Sequence, residues 1–329
     1  MNHQPVDATT ATSFLPMVSV VVPIYNGEAD LPELINCLLS QTYPKDRVEY
    51  LLVDNNSSDR TLTILKTSAE NCPITIRPFS ENQIQSSYSA RNTGIRAATG
   101  EIIVFTDADC RPQPQWLHAL IPPFVNQEVV IVAGEILALP GTTLLEQHAE
   151  RQETLSQKHT LNHSFRPYGQ TANLAIRRIA LEKAGLFRPY LTSGGDADIC
   201  WRILAENIGR LEFAPNAIVR HRHRATLKEL QSQWRRYGRS NRYLHELHGV
   251  DLMRDITLKE CGYRLARWLV KEIPRDMKKA LAQPKAGIAG KVTLVDLLNT
   301  PIGLFTARAR TAGQRNAKLP ENAKIIDRL

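Results

Sequence analysis

A chain of 329 residues, 43% hydrophobic and 22% charged, carries enough apolar material for one large core or two modest ones, which excludes a wholly disordered chain. Its 41 Lys and Arg against 33 Asp and Glu leave a net charge of +8. The excess gathers around and beyond His221, in Arg220, Arg222, Arg224, Arg235, Arg236, Arg239 and Arg242, and suits a diphosphate, an anionic lipid surface or nucleic acid as well as a solvated helix face.

The first element in chain order is the β-branched run Val18 to Ile24, a buried strand that stops at the turn Tyr25-Asn26-Gly27. Helical spacing follows over Pro32 to Gln41, with Asp30 available as its cap, and Val48 to Val53 is a second strand ending at Asp54-Asn55-Asn56-Ser57. Strand, helix and strand at this spacing predict a parallel pair. The pattern repeats with a helix over Thr61 to Glu70, a strand over Ile74 to Pro78, a helix over Ser87 to Ala98 and a strand over Glu101 to Phe105 that runs into Thr106-Asp107-Ala108-Asp109. Helix is expected over Gln115 to Val125, strand near Val129 to Ala133, and helix plus mobile loop through Thr142 to Arg166. Then come a strand over Gly169 to Ile176, helices over Ile179 to Ala184 and Ile199 to Glu206, a strand over Ala214 to Val219, and helical spacing from Leu227 to about Lys279; signals weaken after that.

In open parallel sheets ligands bind at the carboxyl ends of strands, and three of those ends are polar here: Tyr25-Asn26, Asp54 to Ser57, and Asp107 to Asp109. Two carboxylates one residue apart can hold a hard divalent cation, though the same pair also makes an ordinary Asx turn. Asp54 can accept a hydrogen bond from a base imide N–H or simply close its turn. His221 and His223, flanked by Arg220, Arg222 and Arg224, suit a metal or a phosphate. Gly194-Gly195-Asp196-Ala197-Asp198 precedes a helix, so one acid is expected as its N-cap and the other can face a crevice as a general base.

Rival signatures are missing from the sequence. No GxGxxG follows the first strand, Gly287 to Lys291 lacks phosphate-loop spacing, and no Gly-x-Ser-x-Gly elbow occurs. Cys37, Cys72, Cys110, Cys200 and Cys261 show no CxxC or CxxxH spacing, so neither a zinc site nor a disulfide framework is indicated. The polar, Thr-rich start through Met17 does not read as a signal peptide, and no run reaches the roughly 18 apolar residues of a spanning helix. A cytoplasmic location is therefore expected, with peripheral contact at the inner face of the plasma membrane through the basic C-terminal region.

Taken in order, Val20-Val21-Val22-Pro23-Ile24-Tyr25-Asn26-Gly27-Glu28, Val53-Asp54-Asn55-Asn56-Ser57-Ser58-Asp59, Ala90-Arg91-Asn92-Thr93-Gly94, Thr106-Asp107-Ala108-Asp109 and Gly195-Asp196-Ala197-Asp198-Ile199-Cys200-Trp201-Arg202 resemble the family 2 glycosyltransferases over about residues 17 to 245. The resemblance implies an α/β fold of the GT-A type, with a mostly parallel central sheet flanked by helices. It divides the chain into a flexible tail (1–16), a catalytic domain (17–225, with a nucleotide-binding half to 110 and an acceptor-binding half after it) and a basic helical C-terminal extension (226–329). It also implies an inverting, metal-dependent hexosyltransferase of polysaccharide or glycoconjugate biosynthesis, taking a nucleotide-diphospho-sugar, UDP-sugar favoured, with Mn²⁺ or Mg²⁺ and a saccharide or lipid-linked acceptor.

By position, the resemblance implies that Pro23, Tyr25, Asn26, Glu28, Asp54 and Asn56 hold the nucleoside, that Arg91 lies beside the diphosphate and that Asp107 touches ribose or sugar. Asp109 and His221 would ligate the metal, and Asp196 would be the base. Arg235, in the Gln231-to-Arg239 stretch that looks like a loose Gln-x-x-Arg-Trp element, is a further donor contact. Gly195 stands where the family usually has an acid before the base. Two other readings are a catalytically silent nucleotide-sugar or polysaccharide-binding module, against which Asp54, Asp107, Asp109, Asp196 and His221 together argue, and a nucleic-acid binder using Arg222 to Arg242 with Trp234, Tyr237 and Tyr243. Nucleic acid is not expected as a partner.

Overall fold

The computed structural model describes residues 14–70, 73–282 and 293–329. Residues 1–13 of the expected tail, Cys72 and the segment Gly287 to Lys291 lie outside the described residues. The remaining cysteines are all free thiols.

The first half alternates as the apolar spacing predicts: β1 (Val18–Ile24), α1 (Leu31–Leu39), β2 (Val48–Asp54), α2 (Thr61–Glu70), β3 (Thr75–Ser80), α3 (Ser87–Ala97) and β4 (Ile102–Phe105). Every residue of β1, β2 and β4 is buried, which is why these strands read as continuous apolar runs instead of alternating ones. Burying each Val, Ile or Leu of such a run stabilises by roughly 1.5–3 kcal/mol. A short β5 (Cys110–Pro112) follows, then α4 (Trp116–Leu120), β6 (Val129–Ala138), α5 (Leu144–Arg151), α6 (Gln157–Leu161), β7 (Leu174–Arg177), α7 (Arg178–Ala184), α8 (Gly195–Ala205) and β8 (Arg210–His221).

The described strands form one eight-stranded sheet in the order β3-β2-β1-β4-β7-β6-β8-β5. The β3-β2-β1-β4 half is parallel, whereas β4–β7, β6–β7 and β5–β8 pair antiparallel. The sheet is therefore mixed, with its parallel half on the nucleotide-binding side of the sequence. Asp30 begins α1 but does not cap it; its carboxylate takes a hydrogen bond from Arg111 at 2.7 Å instead.

The chain divides into two compact units that are not simple halves of the sequence. The first comprises residues up to 137, 155–221 and 320–329 and contains the sheet. Its closing segment returns to the domain: Arg96 pairs with Asp327 at 2.6 Å, and Arg188 donates to the carbonyl of Lys324 at 2.7 Å.

The second unit, residues 138–154 and 222–319, is helical. It holds α5 with α9 (Leu227–His248), α10 (Leu258–Arg267), a π-helical turn (Trp268–Glu272), α11 (Ile273–Ala282) and α12 (Leu294–Asn316). The continuous helical reading from Leu227 to Lys279 is broken at Gly249, whose φ of +73° ends α9 in the left-handed conformation. The long α12 falls where sequence signals are weak. No helix among the described residues is long and apolar enough to cross a membrane.

α9 and α12 cross closely because each offers a glycine to the other. A side chain on Gly238 would strike the Arg310 carbonyl, and one on Gly313 the Arg235 carbonyl. Gly313→Val is therefore expected to cost roughly 1–3 kcal/mol, seen as a lowered urea midpoint. Gly303 of the same helix meets nothing within 4 Å, so Gly303→Ala serves as the control and should be neutral or stabilising by up to ~1 kcal/mol.

Candidate active site

The loops after β1 and β2 are laced together by polar bonds. Asn26, at φ +50°, donates its N–H to Ser57 Oγ at 2.8 Å and accepts from the Ser58 N–H at 2.9 Å. Gly27 N–H donates to Thr61 Oγ1, and Glu28 N–H to Asp59. The Glu28 carboxylate is held by the Arg60 N–H at 3.0 Å and by its guanidinium, and those bonds lower its pKa. Asp54 is buried at the end of β2 and accepts from the Ser57 N–H three residues on at 3.3 Å, which closes the turn, while Asn56 takes the left-handed φ of +61°. Pro23 pairs with Val53 in the β1–β2 register, and Tyr25 is left 58% exposed at the loop's tip.

Two acids follow β4. Asp107 Oδ1 accepts from Arg91 Nη2 at 2.6 Å. Arg91 is 4% exposed on α3, with its guanidinium 5.5 Å from the Tyr88 ring centroid and 6.0 Å from that of Phe187. Burial opposes its charge, but Asp107 and then Asp196 outweigh burial and raise its pKa. Its Nε is buried and meets no acceptor among the described residues.

Asp109 reaches a residue far along the chain. β5 pairs with β8 so that Cys110 lies opposite His221, and this register sets His221 Nε2 3.3 Å from Asp109 Oδ2. Ligand atoms of Asp107, Asp109 and Cys110 lie within 4.8 Å of one another. The Cys110 thiol is buried, with its pKa pushed well up by burial and then by Asp109 and Asp107, so it stays protonated and packs in the core. What remains is two carboxylates and an imidazole, a donor set that fits a hard divalent cation such as Mn²⁺ or Mg²⁺ and not a thiolate-bound ion.

The acid cluster expected to cap a helix is arranged differently. α8 starts at Gly195, and its N-cap is Gly194 at φ +83°, so neither Asp196 nor Asp198 caps it. Both lie inside the first turn, because the helix starts at Gly195, directly after the left-handed Gly194. Asp198 is fully buried and pairs with Arg188 at 2.9 Å and Arg202 at 3.0 Å, a structural role. Asp196 accepts from the Thr171 N–H and hydroxyl, both at 3.2 Å. Burial raises its pKa, Arg91 pulls it down, Asp107 pushes it up, and the net shift is upward.

Gly195 itself is accounted for by Tyr88. The phenol oxygen accepts the Gly195 N–H at 2.9 Å, and a Cβ at 195 would lie 2.7 Å from the ring. Tyr88 thus occupies the space of the side chain that Gly195 lacks.

The first unit brings Arg91, Asp107, Asp109, Asp196 and His221 into one electrostatic neighbourhood, beside the loops that carry Pro23, Tyr25, Asn26, Glu28, Asp54 and Asn56. Arg235 stands on α9 of the second unit, with its backbone packed on Gly313. Tyr88, Thr171 and Arg60 escaped the sequence reading. Tyr88 and Thr171 act through positions set by tertiary packing; Arg60 follows the Asp54-to-Asp59 turn but pairs only across the two loops.

A carboxyl whose folded pKa lies above its unfolded value contributes stability that is present below the unfolded pKa and is lost as pH rises through the folded one. Asp196→Asn is accordingly expected to raise the melting temperature by a few degrees at about pH 7, with the gain fading by about pH 4, as thermal unfolding across pH will reveal. For the ring contact, Gly195→Ala should cost about 1–3 kcal/mol alone and far less in a Tyr88→Ala background; additive losses in that double-mutant cycle would refute the steric pairing.

Comparison with known proteins places this geometry. The model of glycosyl transferase family 2 matches residues 19–188, slightly over half the chain, and includes Asp54, Arg91, Asp107 and Asp109. Glycosyltransferase AglE of Haloferax volcanii is 34% identical over 264 residues, 79% of this chain and 82% of that protein. A Pre-mycofactocin glycosyltransferase of Mycobacterium tuberculosis is 29% identical over 230 residues, 68% of this chain but 46% of that longer protein. Among solved structures, a mannosyltransferase from Pyrobaculum calidifontis in complex with GDP-Man and Mn²⁺ aligns with a TM-score of 0.61 at 18% identity, covering 92% of this chain and 89% of its own, which shows a shared GT-A fold. The chain belongs to glycosyl transferase family 2.

Proposed function

We propose that this glycosyltransferase is an inverting hexosyltransferase that uses Mn²⁺ or Mg²⁺ to move a sugar from a nucleotide-diphospho-sugar, with UDP-sugars first among the candidates, to a hydroxyl of a saccharide or lipid-linked acceptor. Polysaccharide or glycoconjugate assembly is the setting that such a reaction serves. The observation that carries the reading is Arg91, a buried cation that feels Asp107 on one side and Asp196 on the other.

In this reading the loops at Pro23 to Glu28 and Asp54 to Asn56 cradle the nucleoside, with Asp54 accepting from the base imide N–H. Asp107 meets the ribose or sugar, and Arg91 faces the diphosphate. A divalent ion, held by Asp109 and His221, supplies positive charge against the departing nucleoside diphosphate when bound. Asp196 takes the proton from the acceptor hydroxyl as that oxygen attacks the anomeric carbon, and a single displacement inverts the configuration. The upward pKa of Asp196 suits it to that task, because a carboxylate that burial makes reluctant to stay charged is the stronger base.

Release of nucleoside diphosphate from a panel of UDP-, GDP- and dTDP-sugars with Mn²⁺ tests the proposal. Asp109→Ala is expected to weaken Mn²⁺-dependent nucleotide binding by about 10–100-fold. Asp196→Asn should leave that binding nearly intact and slow transfer by about 10²–10⁴-fold. If no donor is turned over and no Mn²⁺-dependent binding is found, a silent nucleotide-sugar or polysaccharide-binding module replaces the enzyme reading.

A further inference from the structure

α10, the π turn and α11 run on as one helix of the second unit, and no side chain of α10 is buried. One flank is anchored to α12. Trp268 Nε1 donates to the Leu297 carbonyl at 2.7 Å, and Thr300 Oγ1 donates to Glu272 at 2.7 Å. Much of the remaining apolar surface faces outward: Leu258 and Val270 are each 73% exposed, and Tyr263, Leu265, Leu269 and Met277 are exposed as well. A groove of roughly 370 Å³ between α10 and α12, lined by Leu258, Cys261, Leu265, Leu304 and Phe305, adjoins this face. Large apolar side chains gathered in this way mark an interaction surface, since scattered single residues would need no explanation.

The π turn has a physical cause and a consequence. Pro274 has no N–H to give the Val270 carbonyl, and its ring crowds that position, so the helix widens and Ile273 N–H donates to Trp268 five residues back. In an unbroken α-helix Met277 would sit about 100° around from Leu258; the wider turn brings it back toward the stripe of Leu258, Leu265 and Leu269. Met277 is thereby kept near that stripe along a helix of about 25 residues.

The polar flank is basic. Between Leu258 and Lys279 the sequence carries Lys259, Arg264, Arg267, Lys271, Arg275, Lys278 and Lys279 against only Glu260, Glu272 and Asp276. Each acid is engaged by an arginine: Glu260 by Arg254, Glu272 by Arg267 and Asp276 by Arg275. The basic stretch that the sequence emphasised, Arg222 to Arg242, belongs largely to α9, whose close seam is with α12. The apolar and basic features coincide instead on α10 and α11.

We propose that the exposed face of α10 and α11 lies in the interface of an anionic lipid bilayer, with Leu258, Leu265, Leu269 and Met277 among the acyl chains and Lys259, Arg264, Lys271 and Lys278 at the headgroup phosphates. A long apolar stripe bordered by cations matches a surface that is apolar within and negatively charged at its rim. The assignment goes beyond the transfer reaction and does not depend on which acceptor the first unit takes.

The test is flotation of the full chain with vesicles of phosphatidylcholine alone or mixed with phosphatidylglycerol, with sedimentation and donor hydrolysis measured in parallel. Binding is expected with the mixed vesicles, weakened by salt and reduced about tenfold in Leu269→Glu/Val270→Glu and in Lys271→Glu/Lys278→Glu. Both variants should hydrolyse a water-soluble donor as the native chain does, so that loss of lipid binding stays distinct from failure of the enzyme reading. Absence of binding to the mixed vesicles overturns the proposal, as does a dimer in solution that Leu269→Glu/Val270→Glu converts to monomer without changing lipid binding.

Discussion

A guanidinium withdrawn from water must be matched by negative charge, and the buried Arg91 sets that condition for the active region. Its side chain bonds Asp107 directly, feels Asp196, and rests beside the rings of Tyr88 and Phe187. Those partners arrive from the β4 end, the start of α8, the segment between α7 and α8, and α3 itself. Breaking the Asp107 bond would leave a buried charge undercompensated, a loss on the order of several kcal/mol. The same demand explains why a carboxylate with a raised pKa can persist at Asp196: its cost is shared with a cation that needs it.

The mixed sheet does the rest of the positioning. Parallel strands β1, β2 and β4 end on one side, which gathers the Asn26, Asp54 and Asp107 loops without any of them being close in sequence. The antiparallel part brings in the long-range partners. Because Cys110 lies opposite His221 across β5 and β8, the residue before Cys110 is delivered to the imidazole. A one-residue slip would turn the side chains of β5 to the opposite face and separate the pair. The proposed metal site thus rests on strand register as much as on the Asp-Ala-Asp spelling.

The second unit shows how backbone rules shape a surface. Gly238 and Gly313 let α9 and α12 approach through their backbones, which uses part of the basic α9 for packing. Pro274 forces a wide turn in the neighbouring helix, and the turn keeps Met277 near the stripe of Leu258, Leu265 and Leu269 where a regular helix would carry it around the circumference. Tyr88 and Gly195 illustrate the same logic in the first unit: an aromatic ring on α3 and a missing side chain on α8 are one steric feature written at two distant positions.

By itself the sequence determined the parallel half of the fold, because strands buried on both faces must be apolar runs and their polar ends must fall at the crevice. It also determined the identities of Asp54, Arg91, Asp107, Asp109, Asp196 and His221 as the residues to watch, since their order and spacing carry the family resemblance. Tertiary structure alone decided that the β5–β8 register is what delivers Asp109 to His221, that Asp198 is buried between Arg188 and Arg202 while Asp196 stays with Thr171, and that Gly194 is the N-cap of α8. It alone placed the last ten residues back on the first unit and kept Met277 near the stripe of Leu258, Leu265 and Leu269. Each of these depends on register, on backbone conformation or on contacts between residues far apart in the chain, none of which is encoded in local periodicity.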